Sequence, residues 1–181
     1  MDIIPFGGIS EKDGTITWPD DNKMSIIGFE DAYQDCYEAK ISEGKIIKVA
    51  SPVGLAIMKL ISWSESSDRA QKDAEDLDLI FSEYYSLLNN VDRIYEIPEI
   101  LELVDFDLQR SGTVILGKDT AAILKNDTEK VIHSIIEQET NDSSNYKLVL
   151  DMMRANRFKE NEFERRLQMI NDFKTGLNLH G

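Results

Sequence analysis

The chain has 181 residues, 41% of them hydrophobic and 30% charged, with a formal net charge of −14. That length suits one domain with a sizeable core or two small ones; the charge argues against a protein that grips nucleic acid across a broad surface, though not against a local pocket, and no apolar run approaches the ~20 residues of a membrane span. A single cysteine, Cys36, excludes an internal disulfide, and with only His133 and His180 beside it a Cys/His zinc site fails by count.

Met1 is followed by Asp2 with no basic segment before a hydrophobic one, so a cytoplasmic protein is expected. Residues 2–8, DIIPFGG, read as a short apolar strand stopped by Pro5 and the Gly7-Gly8 pair. Asp13-Gly14, Thr15 to Trp18 and Pro19-Asp20-Asp21 suggest a surface hairpin or an extended loop. Met24 to Ile27 reads as a strand and Phe29 to Asp35 as a short helix or turn after Gly28. Cys36 to Ile41 and Lys45 to Val49, separated by Ser42-Glu43-Gly44, suggest a second hairpin.

Helices follow. Ser51-Pro52 is an N-cap with proline at the first helical position, opening a helix that runs to about Trp63. After a polar connection the next helix spans Arg69 or Ala70 to Leu88. Ile94, Ile97, Ile100, Leu101 and Val104 are helically spaced around Pro98, which starts or breaks a helix. Thr113-Val114-Ile115-Leu116 looks like a strand, and Gly117-Lys118-Asp119-Thr120 like a turn that begins a helix. Apolar stripes then mark helices over 128–139, 146–153 and 160–173, and residues 174–181 are expected to fray. The layout is α+β: a small mixed or antiparallel sheet at the N-terminus, then a helical bundle. Residues 1–50 are β-rich, 51–90 form a helical pair, and 91–181 are a helical C-terminal region.

The charges between Lys59 and Tyr85 fall in odd places. Lys59 is the one charged residue in a helix apolar on nearly every side, among Val53, Leu55, Ile57, Met58, Leu60, Ile61 and Trp63. In the following helix the stripe Leu77, Ile80, Phe81 and Tyr84, stepped backwards by three and four residues, lands on Asp73 and Asp76. Charged groups entering a low-dielectric region cost several kcal/mol each unless partnered, so Lys59, Arg69, Lys72, Asp73 and Asp76 need one another or a ligand. Two accounts are equally good: an ion-pair network fixing two helices, or an anion site in which Lys59, Arg69 and Lys72 face a phosphate chain while Asp73 and Asp76 orient them.

Other features carry less. Gly117 to Thr120 lacks the spacing of a phosphate-binding loop, and Gly7-Gly8 lacks that of a dinucleotide fold. Arg154, Arg157, Lys159, Arg165 and Arg166 alternate with Glu160, Glu162 and Glu164, which reads as a solvated face. His133 reads as a boundary residue and Cys36 as a half-buried small one.

Over residues 1–88 the chain resembles nucleotidyltransferase-like proteins of the abortive-infection AbiEii toxin type. The resemblance is carried by DIIPFGG, by GFEDAY at 28–33 and by the K-L-x-x-W and R-x-x-K-D-x-x-D-L elements from Lys59 to Leu77. It implies a magnesium ion and a nucleoside triphosphate, with RNA or protein as acceptor and an antitoxin protein as a partner. Asp2 matches a metal-binding catalytic acid, Lys59 the lysine beside the triphosphate, and Arg69, Lys72, Asp73 and Asp76 the basic-acidic segment that follows. In such proteins a Gly-Ser turn followed by an Asp-x-Asp pair supplies the other two acids, and no Gly-Ser turn with such a pair occurs in this sequence. Residues 1–50 then correspond to a remnant of the catalytic core and 51–90 to the helices completing it, and a truncated chain inactive on its own is expected. The alternative is a non-catalytic module that binds a partner, or a second copy of itself, through an exposed sheet edge.

Overall fold

A computed structural model of the protein describes residues 8, 11, 14–19, 21, 23–42, 44–65, 68–87, 89–141, 143–153 and 161–179. Its N-terminal part is two separate antiparallel hairpins. In the first, β1 (Thr15–Thr17) pairs with β2 (Lys23–Ser25), placing Ile16 opposite Met24. After α1 (Phe29–Gln34) comes the second, β3 (Tyr37–Ser42) against β4 (Lys45–Val49), closed through Gly44 at φ 74°. The sheet content of the described residues is therefore antiparallel, the strand expected over residues 2–8 lies almost wholly outside them, and the α+β layout expected from the order of strands and helices is present.

α2 (Pro52–Glu65) begins as the sequence dictates: the Ser51 hydroxyl accepts from the Gly54 N–H at 2.9 Å and donates to Asp35. α1 is seated on α2 where side chains are small. A Cβ on Gly28 would stand 2.7 Å from Ile57, and one on Gly54 3.0 Å from Ala32. Buried Asp31 in α1 accepts from the Thr128 hydroxyl at 2.7 Å, tying this region to the C-terminal helices. α3 (Ala70–Glu83) ends earlier than the sequence suggests, passing into a 3-10 turn at Tyr84–Ser86. α4 (Asn90–Glu96) stops before Pro98, which occupies the first turn of α5 (Pro98–Leu103).

The largest correction falls on residues 108–123. Thr113 to Leu116 is no strand and Gly117 to Thr120 no helix-starting turn, because both lie inside α6 (Leu108–Ile123), capped by Asp107 accepting from the Arg110 N–H at 3.0 Å. Every residue from Ser111 to Gly117 is buried, so this middle stretch of α6 has no solvated face to impose a period, and tertiary packing overrides the strand preference of its β-branched run. α6 lies against α9 (Glu162–Leu177), where Gly117 and Gly176 bring the two backbones together. A Cβ on Gly117 would run into the carbonyl of Phe173, and one on Gly176 into that of Val114.

α7 (Asn126–Thr140) and α8 (Lys147–Met152) complete the bundle near their expected places, whereas α9 continues to Leu177 with Gly176 and Leu177 buried, so this end is not frayed up to that residue. One apolar cluster joins α2, α3, α6, α7, α8 and α9, and at its centre Phe81 and Phe173 stack with ring centroids 4.9 Å apart.

Three arginine pairs brace the bundle. Arg110 of α6 grips Asp172 of α9 through both carboxylate oxygens at 2.9 and 3.1 Å. Arg93 of α4 does the same to Asp119 of α6 at 2.7 and 2.9 Å, and the Tyr84 hydroxyl donates to that carboxylate at 2.6 Å. Burial first, then this bond to Asp119, pushes the Tyr84 phenol well above its ordinary value. Arg166 corrects the solvated-face reading. It is buried and held by Glu162 and by Asp78 of α3 at 2.8 Å. Arg165 is half-buried beside Ser82, and Arg154, Arg157, Lys159 and Glu160 lie outside the described residues.

Candidate anion-binding cleft between α2 and α3

α2 and α3 pack through apolar faces that include Ile57, Leu60, Ala74 and Leu77, and at the edge of that contact the charges meet. Lys59 Nζ lies 2.7 Å from Asp73 Oδ1 and 2.7 Å from Asp76 Oδ2. The second oxygen of Asp73 accepts from the Ser62 hydroxyl at 2.6 Å. Asp73 is 1% exposed at its side chain, Lys59 21% and Asp76 40%, so the triad grades from core to solvent. Burial alone would lower the Lys59 pKa, but the hydrogen bonds and charges of Asp73 and Asp76 outweigh it, and Lys59 is held above its ordinary value. It is an ammonium throughout the neutral range.

Lys59 and Asp73 of this triad, but not Asp76, line a cavity of about 620 Å³ enclosed by α2, the first hairpin, Phe29 of α1 and the start of α3. Met24, Ile27, Phe29, Leu55 and Met58 give it an apolar wall; Lys23, Lys59 and Arg69 supply positive charge, with Glu65 and Asp73 opposing. Arg69 is exposed at the N-cap of α3 and makes no ion pair among the described residues. Lys59 has three N–H donors and two protein acceptors, which leaves one for an anion.

Of the residues singled out in the sequence, Lys59, Asp73 and Asp76 are brought together, and Arg69 shares the cavity. Lys72 is exposed on α3 and is not part of the cavity wall. Asp2 lies outside the described residues. Ser62 was legible in principle, one helical turn beyond Lys59 on the same face. Lys23, Met24 and Phe29 carry no local signal, because only the docking of the hairpin and α1 onto α2 places them there.

The described residues do not by themselves make the magnesium site that the resemblance implies. Asp73 and Asp76 are committed to Lys59, and among the described residues no three of His, Cys, Asp and Glu gather closely enough to hold a metal ion. Among the described residues no helix is long and apolar enough to cross a membrane. No protein-family model, curated protein or solved structure matches the chain.

Proposed function

We propose that the chain is a nucleotidyltransferase-like protein whose α2–α3 cleft binds the phosphate chain of a nucleotide. One observation carries this reading: an ammonium held in place by two carboxylates, with a donor to spare, shares a cavity with an arginine that has no ion pair among the described residues, opposite an apolar wall. Arg69 is the bidentate phosphate ligand and Lys59 a point charge beside it. Ser62, Asp73 and Asp76 are positioning residues that act through Lys59. Met24, Phe29, Leu55 and Met58 receive the flat face of the base. Transfer to an RNA or protein acceptor needs carboxylates that the described residues do not bring together, so binding is the property to measure first.

Isothermal titration with each of the four ribonucleoside triphosphates, with and without magnesium, tests this. Saturable binding is expected, and Arg69→Ala should weaken it by about 10- to 100-fold, the loss of one charge-assisted contact of about 1.5–3 kcal/mol. Lys72→Ala, which lies off the cavity, should leave it unchanged. Absence of binding, or equal binding by Arg69→Ala, contradicts the assignment.

A second reading, self-association through the second hairpin, is favoured by a separate observation. Every residue of β4 is exposed, and Ile41 and Ile46 are 60% and 62% exposed. Lys40, Lys45 and Lys48 outnumber Glu38 and Glu43 in this ribbon, which is therefore slightly positive on a chain of net charge −14. A concentration-dependent dimer in sedimentation, abolished by Ile46→Lys, is the expected result. A strict monomer at high concentration rules this second reading out.

A further inference from the structure

A second cavity, also of about 620 Å³, opens where Trp63 and Ser64 near the C-terminal end of α2 and the end of α7 meet α8; it shares no lining residue with the first, and its chemistry differs. Its walls include buried Trp63, Ile135 and Glu139, and Lys147 and Asp151 border it. Glu139 is only 5% exposed. Its Oε2 accepts from the Leu148 N–H at 2.9 Å, while Oε1 receives no hydrogen bond from any described residue and is left to the cavity. That oxygen is open to the solvent of the cavity and accepts from whatever donor fills it. Burial pushes the Glu139 carboxyl above the ordinary value, against the opposing pull of the Leu148 N–H and the Lys147 charge.

The same wall already accommodates one ammonium group. Lys147 Nζ sits 4.5 Å from the centre of the Trp63 ring and 2.9 Å from Asp151 Oδ2, and Asp151 also accepts from the Trp63 indole N–H at 3.0 Å. An aromatic face with a carboxylate beside it is thus a working cation seat in this protein, and Glu139 offers a deeper carboxylate with no ion-pair partner among the described residues. The border charges, Glu139, Asp151 and Lys147, sum to −1, and the overall charge of −14 raises the local concentration of cations.

We propose that this cavity binds an ammonium or guanidinium group carried on an alkyl stem, the charged head donating to Glu139 Oε1 and the stem lying on Ile135 and Trp63. The head group could be brought by a free small molecule or by a lysine or arginine side chain of another protein, and the two sources share this chemistry. The site is separate from the α2–α3 cleft, so either assignment can fail without the other.

The test uses the full chain carrying Trp18→Phe, so that Trp63 is the fluorescent reporter. Agmatine and a short acetylated Gly-Arg-Gly amide are titrated in parallel up to about 10 mM, well above a Kd of about 1 mM. Saturable binding of at least one is expected: agmatine alone points to a free small cation, the peptide alone to a protein side chain. Glu139→Gln, which keeps an acceptor for the Leu148 N–H and so keeps the fold, should weaken binding at least about tenfold, the loss of one charge-assisted contact. Lys147→Gln should tighten it by removing a competing ammonium, and Arg69→Ala should change nothing. Failure of both probes to bind, or binding undiminished in Glu139→Gln, overturns the proposal.

Discussion

Gly117→Ala should destabilise the protein by about 3 kcal/mol, the upper range for overpacking against atoms that cannot move aside. The opposite sign follows from local considerations alone, since alanine is favoured over glycine within a helix by about 1 kcal/mol. At this position the new methyl group would meet the Phe173 carbonyl and, 2.9 Å away, the backbone nitrogen of Leu177. Those are backbone atoms of a packed helix, not the ends of flexible side chains. Gly176→Ala should behave alike, with its Cβ directed at Val114 and Lys118 backbone atoms. Gly44→Ala is the comparison. Nothing lies within 4 Å of its Cβ, so only the positive φ of 74° is penalised, by about 1–2 kcal/mol. Urea denaturation of the three variants reads the difference. A Gly117→Ala protein as stable as wild type would mean that α6 and α9 do not touch as described.

Lys59→Met should cost about 3–5 kcal/mol, the range for removing one partner of a buried ion pair. The methionine fits an apolar helix, but Asp73 remains 1% exposed with Ser62 as its remaining donor. Asp73→Asn should cost far less, because Lys59 keeps Asp76 at 2.7 Å and reaches solvent. The pH dependence has a definite sign. The folded-state pKa of Lys59 is raised, so its contribution is fully present below the unfolded lysine value and is lost only as pH rises through the folded one. The gap between wild type and Lys59→Met should therefore hold across the neutral range and narrow only beyond the ordinary value of 10.5. Equal costs for Lys59→Met and Asp73→Asn in chemical denaturation would remove the asymmetry on which this account rests.

These two cases also mark what the sequence makes legible. Lys59, Asp73 and Asp76 could be placed together because two amphipathic helices, each with a charge on the wrong face, have few ways to satisfy them. The start of α2 was legible because Ser51 and Pro52 act on their own neighbours. α6 was not, since a helix buried from Ser111 to Gly117 has no polar side to reveal its period, and its β-branched residues favour a strand locally. Asp119 reads as part of a turn for the same reason, and its partner Arg93, 26 residues away, leaves no local mark beside it. Arg166 is instructive in another way. It falls on the stripe of Phe163, Ile170 and Phe173, so the rule that exposed Asp73 and Asp76 as inward-facing acids also applied to it, but the neighbouring glutamates disguised it as surface. The wall of the cleft contributed by Lys23, Met24 and Phe29 depends on how the hairpin and α1 rest upon α2, which no local pattern encodes.

The glycine contact between α6 and α9 has a temporal consequence. During synthesis α6 is made before α9, and until Phe173 and Gly176 arrive, the face of Val114 and Gly117 has no partner. Local helix formation cannot relieve this, because the missing surface is supplied by a helix distant in the chain. The nascent protein therefore carries an open apolar groove on α6 until α9 is made and docks.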